Sequence, residues 1–353
     1  MKNLYQGDYK RYLLVPAVLF IAFLFLAFVS PGVKPGIDLK GGTNIIVRSD
    51  KPLDASAIER ALTGKYPLAE LQIGSISSPG GYGVFMQFSE NSELAQAESL
   101  VVQAKQQLSS SPENAKTLAL QSIAISSKYA EAENASALQP AQAVGSAETA
   151  LLNAQESFQL GLQSTISETF GLEGDLRFQK TQIGPSLGEN FFGLAINASL
   201  AALVLITMVI FLFFREVVPS LAVISAAIFD IAGSLGLMAI FGIPLSLSTI
   251  PALLMLIGYS VDTDILLTTR VLKRRDKTVS ERAMDSMYTG LTMTFTTIGA
   301  LIAILTVSYF GQVQVMFEIS AVLLFGLFAD IISTWMMNAP ILLIYAERKG
   351  GRA

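Results

Sequence analysis

Six apolar stretches, each long enough to cross a lipid bilayer, constrain this chain more than any other feature. They lie near 12–29, 191–214, 217–241, 245–269, 287–309 and 313–345. A crossing helix needs about 20 predominantly apolar residues. In hydrocarbon every backbone polar group must be satisfied internally, which makes runs of this length helices. Composition agrees. Of 353 residues, 52% are hydrophobic and 15% charged, and mean hydropathy is +0.52, too apolar for a soluble domain of this length. The expected fold is an α-helical membrane protein with one sizeable polar domain. The last run is long enough to be tilted or to include an interfacial stretch. The first could instead be the core of a signal peptide, although Pro31 sits just past the best cleavage point and the later spans need an anchored start.

Lysines and arginines set the direction of the spans. Lys2, Lys10 and Arg11 precede the first, Arg215 follows the second, and Arg270, Lys273, Arg274, Arg275 and Lys277 follow the fourth. Arg348, Lys349 and Arg352 follow the sixth, while the turns at 242–244 and 311–312 carry no basic residue. The pattern predicts cytoplasmic termini at 1–11 and 346–353, an external region over 30–190, and a bundle of the remaining five spans over 191–345. The net charge of −4 offers nothing to nucleic acid. With no cysteine, thiolate chemistry is excluded, and with no histidine a proton path must use carboxylates, hydroxyls and water. Neither a metal nor a cofactor is expected.

Within the external region, 43–48, 69–76 and 83–88 read as short strands by their β-branched content and their Gly/Pro boundaries. Residues 54–63 read as a helix with Asp54 as N-cap. A last strand near 175–182 completes a β-α-β-β-α-β, ferredoxin-like α+β unit. Residues 91–168, rich in Ala, Gln, Ser and Glu and broken by Pro112 and Pro140, read as an insertion of two or three amphipathic helices, such as a projecting hairpin. Asn134-Ala135-Ser136 is a glycosylation acceptor sequence, of a kind that arises often by chance.

The chemistry is carried by carboxyls inside the apolar runs. Asp230 lies midway along the third, Asp262 and Asp264 in the cytoplasmic half of the fourth, and Asp330 within the sixth, where Glu318 lies nearer the outer end. Leaving a carboxylate at the bilayer centre costs roughly 2.5–3.5 kcal/mol on insertion scales. By the span boundaries above no Lys or Arg shares that depth, so each carboxyl must be protonated, face a water-filled cavity or meet a partner's charge. At about 100° per residue, Asp262 and Asp264 point about 200° apart and cannot share one proton. Asp262 shares a stripe with Tyr259 and Leu266, whereas Asp264 follows Ser260 and precedes Thr268. In the fifth run Thr289, Thr292 and Thr296 share a stripe that could line a water path, or could merely bond their own backbone. Gly233, Gly236, Gly258 and Gly299 allow close helix packing.

Three segments carry a resemblance. Gly36-Ile37-Asp38-Leu39-Lys40-Gly41-Gly42 follows the first span, Gly184-Pro185-Ser186-Leu187-Gly188 enters the second, and Gly258-Tyr259-Ser260-Val261-Asp262-Thr263-Asp264 lies in the fourth, ahead of a basic loop. In this order and topology the chain resembles the SecD/SecF protein-export family, and the Tyr-Ser form of the fourth-span motif resembles its SecF branch in archaeal form. The resemblance implies a six-helix half-transporter of the resistance-nodulation-division type, paired with a SecD-like subunit in a prokaryotic cell membrane. It also implies work with the SecYE translocon on exported preproteins, in which proton or sodium flow moves the external domain. Asp262 and Asp264 become the leading ion-relay candidates, with Asp230, Asp330, Thr263, Tyr259 and Thr296 in support. The joints are Gly36, Asp38, Gly41 and Gly42 together with Gly184, Pro185 and Gly188. Two departures stand out. Thr263 occupies the place of a carboxylate usual in bacterial SecF, and Thr289 lies near the place of a usual arginine. Two other readings stay open: a passive scaffold that moves no ions, and an intramembrane aspartyl protease, for which Pro251-Ala252-Leu253 is the sole further sign.

Overall fold

In the computed structural model the apolar runs are helices and the region after the first span holds a small sheet. The structure describes residues 4–49, 53–66, 68, 71–78, 81–88, 91–131, 135, 137–170, 177–183, 185–274, 277–311 and 313–349. A 3-10 turn (Tyr9–Leu13) leads into α1 (Leu14–Phe28), followed by α2 (Ile37–Lys40), β1 (Gly42–Ser49), α3 (Ala55–Lys65), β2 (Gln72–Ser78) and β3 (Gly81–Phe88). Next come α4 (Ser92–Gln107), α5 (Pro112–Ser126), α6 (Pro140–Phe170) and β4 (Arg177–Ile183). The rest is helical: α7 (Pro185–Phe214), α8 (Val217–Phe241), α9 (Thr249–Lys273), α10 (Val279–Gly311), α11 (Gln314–Ile332), a π-helical stretch (Ser333–Asn338) and α12 (Ala339–Arg348). Contacts divide the chain into two compact units, Ile37–Phe192 and a second formed by Met1–Gly36 with Gly193–Ala353.

The unit Ile37–Phe192 is built on a sheet of order β2-β3-β1-β4 whose neighbours are all antiparallel. The crossover β1-α3-β2 leaves a gap that β3 fills, which is the split arrangement of a ferredoxin-like fold. Alternation points Ile45 and Val47 of β1 and Val84, Met86 and Phe88 of β3 into the core, where they meet Ile58 and Leu62 of α3. Asp54 caps α3 by accepting from the Ser56 amide at 2.9 Å. The insertion is three helices. Its alanine content has a packing reason: Ala97 and Ala104 of α4, Ala115 and Ala119 of α5, and Ala143, Ala147, Ala150 and Ala154 of α6 form the buried seams, at the spacing of one helical face. Pro112 and Pro140 each open a helix, where a missing N–H costs nothing. Asn134 and Ser136 of the acceptor sequence lie outside the described residues.

Among the described residues six helices are long and apolar enough to cross a membrane: Tyr9–Phe28, Asn190–Phe214, Val217–Phe241, Thr249–Lys273, Val279–Gly311 and Gln314–Arg348. α8 is the most buried, and Phe229 at its middle stacks on Phe20 and meets Phe23 of α1 edge-on. Two helices start elsewhere than hydropathy alone places them. α9 begins at Thr249, not at 245, because Leu245 is engaged with the chain leaving α1: its amide donates to the Lys34 carbonyl at 2.8 Å and its carbonyl accepts from Gly36 at 2.6 Å. α10 begins well before 287 because Thr278 and Glu281 form a capping box, each side chain accepting from the other's amide. Arg270, Lys273 and Arg282 lie within these two helices, at the ends joined by the basic loop. Gly233 and Gly236 do pack closely, against Ala329 and Phe23, but a methyl group on Gly258 or Gly299 would meet nothing within 4 Å. Those two are outward positions, so close packing does not explain them.

The sixth span is continuous through the π-helical stretch, which ends two residues before Pro340. The amide of Ala339 donates to the Thr334 carbonyl, five residues back. In that register the carbonyl of Trp335 should receive the amide of residue 340, and proline has none. Tyr5 supplies the missing donor, its hydroxyl bonding the Trp335 carbonyl at 3.0 Å from a buried position. Replacing Tyr5 with Phe is expected to strand this carbonyl and destabilise the protein by about 1–3 kcal/mol. Thermal unfolding of the purified chain checks this, and an unchanged midpoint would show the bond to be dispensable.

Candidate functional site

Three buried carboxyls meet halfway through the bundle. Asp230 sits at the middle of α8, Asp264 just past the middle of α9, and Asp330 in the last turn of α11, and all three side chains are shielded from solvent. The π-helical stretch supplies most of their partners. Ser333 donates to Asp230 Oδ1 at 2.6 Å, and Ser260 of α9 donates to Asp230 Oδ2. Asn338 donates to Asp264 Oδ1 at 2.6 Å. Thr334 stands between two carboxyls, with its hydroxyl 3.0 Å from Asp264 Oδ1 and 3.1 Å from Asp330 Oδ1.

A hydroxyl has one proton to donate. Both Thr334 contacts are therefore full hydrogen bonds only when one of the two carboxyls carries a proton and donates it to the threonine oxygen. The arrangement can exist in two mirror forms, and exchange between them moves a proton from Asp330 to Asp264 or back. The remaining oxygens, Asp264 Oδ2 and Asp330 Oδ2, are buried with no hydrogen-bond partner among the described residues, as is Asn338 Oδ1. No basic side chain among the described residues forms an ion pair with the cluster. Arg270 lies about 9 Å further along α9 than Asp264, by the helical rise. It is occupied there, donating to Thr289 Oγ1 at 2.8 Å and to the Asp285 carbonyl at 3.1 Å.

Asp262 stands apart from the other three. It is exposed on α9 beside Met255, Gly258 and Tyr259, the tyrosine being 40% exposed, while Ser260, Asp264 and Thr268 of the same helix are fully buried. The two aspartates of the motif thus occupy opposite faces. Thr263 is buried and packs towards Gly290 of α10. The threonines of the fifth span do not reach the cluster. Thr292 and Thr296 are exposed and donate to the Tyr288 and Met293 carbonyls of their own helix, whereas Thr294 is the buried one and also bonds its own backbone. Glu318 forms a separate group near the start of α11, accepting from Ser246, Ser248 and Gln314 at 2.6–3.0 Å.

Of the joint residues, Gly41 (φ +82°) and Gly42 (φ +150°) adopt backbone conformations that side chains with a Cβ disfavour, just after Asp38 in α2. Gly36 does not; its amide is fixed on Leu245. Pro185 is the first residue of α7 and Gly188 lies in its first turn, while Gly184 is outside the described residues. Sequence reasoning missed Ser260, Ser333, Thr334 and Asn338 as partners of the carboxyls. Their signal was present: four polar residues in two apolar runs, with Pro340 marking the place where the sixth helix must leave the α register.

The family model for "Protein export membrane protein SecD/SecF, C-terminal" matches residues 165–348, and that for the "SecD/SecF GG Motif" matches residues 26–53. The protein-export membrane protein SecF of Methanocaldococcus jannaschii is 31% identical over 343 residues, covering 96% of each chain. SecF of Methanothermobacter thermautotrophicus is 49% identical over 167 residues, covering 47% of this chain and 58% of that one. SecF of Pyrococcus furiosus is 46% identical over 178 residues, 50% of this chain and 59% of that one, so these two matches span little more than half of each relative. A crystal structure of SecDF, a translocon-associated membrane protein from a Thermus species, superposes with a TM-score of 0.58 at 17% identity, covering 98% of this chain and 60% of that chain. At that identity the superposition speaks for the fold.

Proposed function

This chain belongs to the SecF family of protein-export membrane proteins, and from that premise we propose that it couples cation flow through its buried carboxyls to the export of proteins. The family consists of membrane proteins of protein export and not of enzymes, which sets the protease reading aside. In our reading both termini are cytoplasmic and the unit Ile37–Phe192 lies outside. The chain pairs with a SecD-like subunit as one half of a resistance-nodulation-division type transporter, beside the SecYE translocon. The single observation that carries the ion-relay reading is the threonine hydroxyl shared by two buried carboxyls, each with an unpartnered oxygen, with no basic side chain among the described residues in an ion pair with either. A cluster of this kind can take up a proton or a small cation and pass it on.

The exposed Asp262 supports the pairing. At the midpoint of α9 a carboxylate facing lipid would cost roughly 2.5–3.5 kcal/mol, so this face is the one that a second subunit covers. In the proposed cycle Asp262 receives the cation at the interface and the inner cluster releases it. One elementary charge crossing the full field gains roughly 2.3 kcal/mol per 100 mV, enough for a few ions to drive a domain movement between states several kcal/mol apart. The segments Gly36 to Gly42 and Gly184 to Gly188 are the proposed joints for that movement.

The absence of native cysteine makes the pairing simple to test. Tyr259→Cys is expected to crosslink to the co-expressed SecD-like subunit with a short bifunctional reagent, and the buried Ser260→Cys is not. Failure of Tyr259→Cys to crosslink while the two subunits co-purify would place the interface elsewhere.

A further inference from the structure

One end of the bundle, the end bearing the basic loop after α9 and the C-terminal helix, carries an open cavity of about 970 Å³ among α7, α8, α9, α10 and α12. Its walls carry Lys273, Arg274 and Arg282 together with the Glu281 carboxylate, which accepts from Thr278, and Phe214 on the apolar side. Two further lysines on the wall are already neutralised, Lys349 by Glu216 and Lys277 by Asp285. The hydrogen bond from Lys349 holds the Glu216 carboxyl below the usual carboxylate range, so this pair stays charged and matched at neutral pH. Among the described residues neither Lys273 nor Arg274 forms an ion pair. The floor is polar as well. Thr268 is fully buried and lines the cavity, and its hydroxyl, like that of neighbouring Thr269, has no partner among the described residues. A buried hydroxyl without a partner is destabilising unless a ligand or water satisfies it.

We propose that this cavity holds the phosphate headgroup of an anionic phospholipid from the adjacent leaflet. Cations at the mouth and hydroxyl donors at the floor are the partners that phosphate oxygens need, and basic pockets between membrane helices suit such headgroups. The lipid source, over a free phosphate compound, follows from the bordering helix: Leu212 at the end of α7 turns outward, where acyl chains would lie, and the part-exposed Phe213 ring carries the Lys273 ammonium 5.1 Å from its centroid, at the boundary between the two.

The test is retention of added lipid by the purified full chain, read by native mass spectrometry with phosphatidylglycerol against phosphatidylcholine. A cation near the surface contributes about fivefold in affinity, so the double variant Lys273→Gln, Arg274→Gln is expected to retain phosphatidylglycerol about 25-fold less well. Thr268→Val, which removes no charge, is also expected to weaken retention. Removing two charges elsewhere, as Lys10→Gln with Arg11→Gln, is expected to leave it unchanged. The proposal is overturned if phosphatidylcholine is retained equally, if the control variant loses as much as the cavity variant, or if Thr268→Val retains lipid as the wild type does. Inorganic phosphate, titrated into lipid-free protein, is expected not to bind measurably at millimolar concentration. Saturable binding that Arg274→Gln abolishes would reassign the cavity to a soluble phosphate compound and overturn the lipid reading.

Discussion

Asp264→Asn is expected to abolish the part of protein export that depends on the transmembrane ion gradient, while the variant accumulates folded at nearly the wild-type level. The geometry separates these effects. Asp264 Oδ1 accepts from both Thr334 and Asn338, and an asparagine oxygen in the same place accepts from both as well. The asparagine nitrogen then replaces Oδ2, which has no partner among the described residues, so the structural cost is that of one buried NH2 group with two unmet donors, about 1–3 kcal/mol for each. What the substitution removes is the capacity to bind and release a proton or cation. A charge that no longer crosses the field forfeits roughly 2.3 kcal/mol per 100 mV, a factor of about fifty in the equilibrium it drives. Export measured in membrane vesicles with and without an imposed gradient separates the two components. Wild-type gradient stimulation in Asp264→Asn, and again in Asp262→Asn and the double variant, would leave the chain as a passive scaffold.

Gly290→Leu is expected to prevent stable folding. An ideal Cβ on Gly290 falls 2.4 Å from Trp335 Cζ2, 2.9 Å from Trp335 Cη2 and 3.1 Å from Thr263 Cγ2. The tryptophan is itself buried and lies in the π-helical stretch that holds the carboxyls, so it has little room to yield. Overpacking a tight core typically costs about 1–3 kcal/mol for added methylenes. Gly290→Ala should fall in that range, and the leucine variant beyond it. Combining Gly290→Ala with Trp335→Phe is expected to recover part of the loss, because the two changes act on one contact and do not add. Gly258→Ala and Gly299→Ala, where a Cβ meets nothing within 4 Å, are expected to be neutral or slightly stabilising. Thermal midpoints of the detergent-purified variants give the comparison, and equal losses at Gly258 and Gly290 would contradict it.

The elements with a strong period were legible in the sequence. Six spans, four strands and the Asp54 cap follow from apolar runs, β-branched alternation and a capping residue, each a local signal. The errors came where tertiary contacts set a boundary. Nothing local says that Leu245 pairs with the chain at Lys34 and Gly36, so α9 starts four residues later than hydropathy places it. The start of α10 was missed because its first turns are polar, although Thr278 and Glu281 are a readable capping box. At the site, helical geometry correctly separated Asp262 from Asp264. Which of them faces inward depends on packing between α9 and its neighbours, and single-helix periodicity is silent on that. The partners Ser333, Thr334 and Asn338 lie in the π-helical stretch ahead of Pro340, where Thr334 and Asn338 share a face four residues apart and the wider turn brings Ser333 nearer to them. Together they face Asp230, Asp264 and Asp330.

The most direct measurement is cation uptake by sealed vesicles that contain only this chain and its SecD-like partner, under an imposed proton gradient and then a sodium gradient. The account predicts uptake with at least one of the two ions, lost in Asp264→Asn and reduced in Asp262→Asn. Uptake with neither ion by the intact pair, or undiminished uptake by Asp264→Asn, would contradict it.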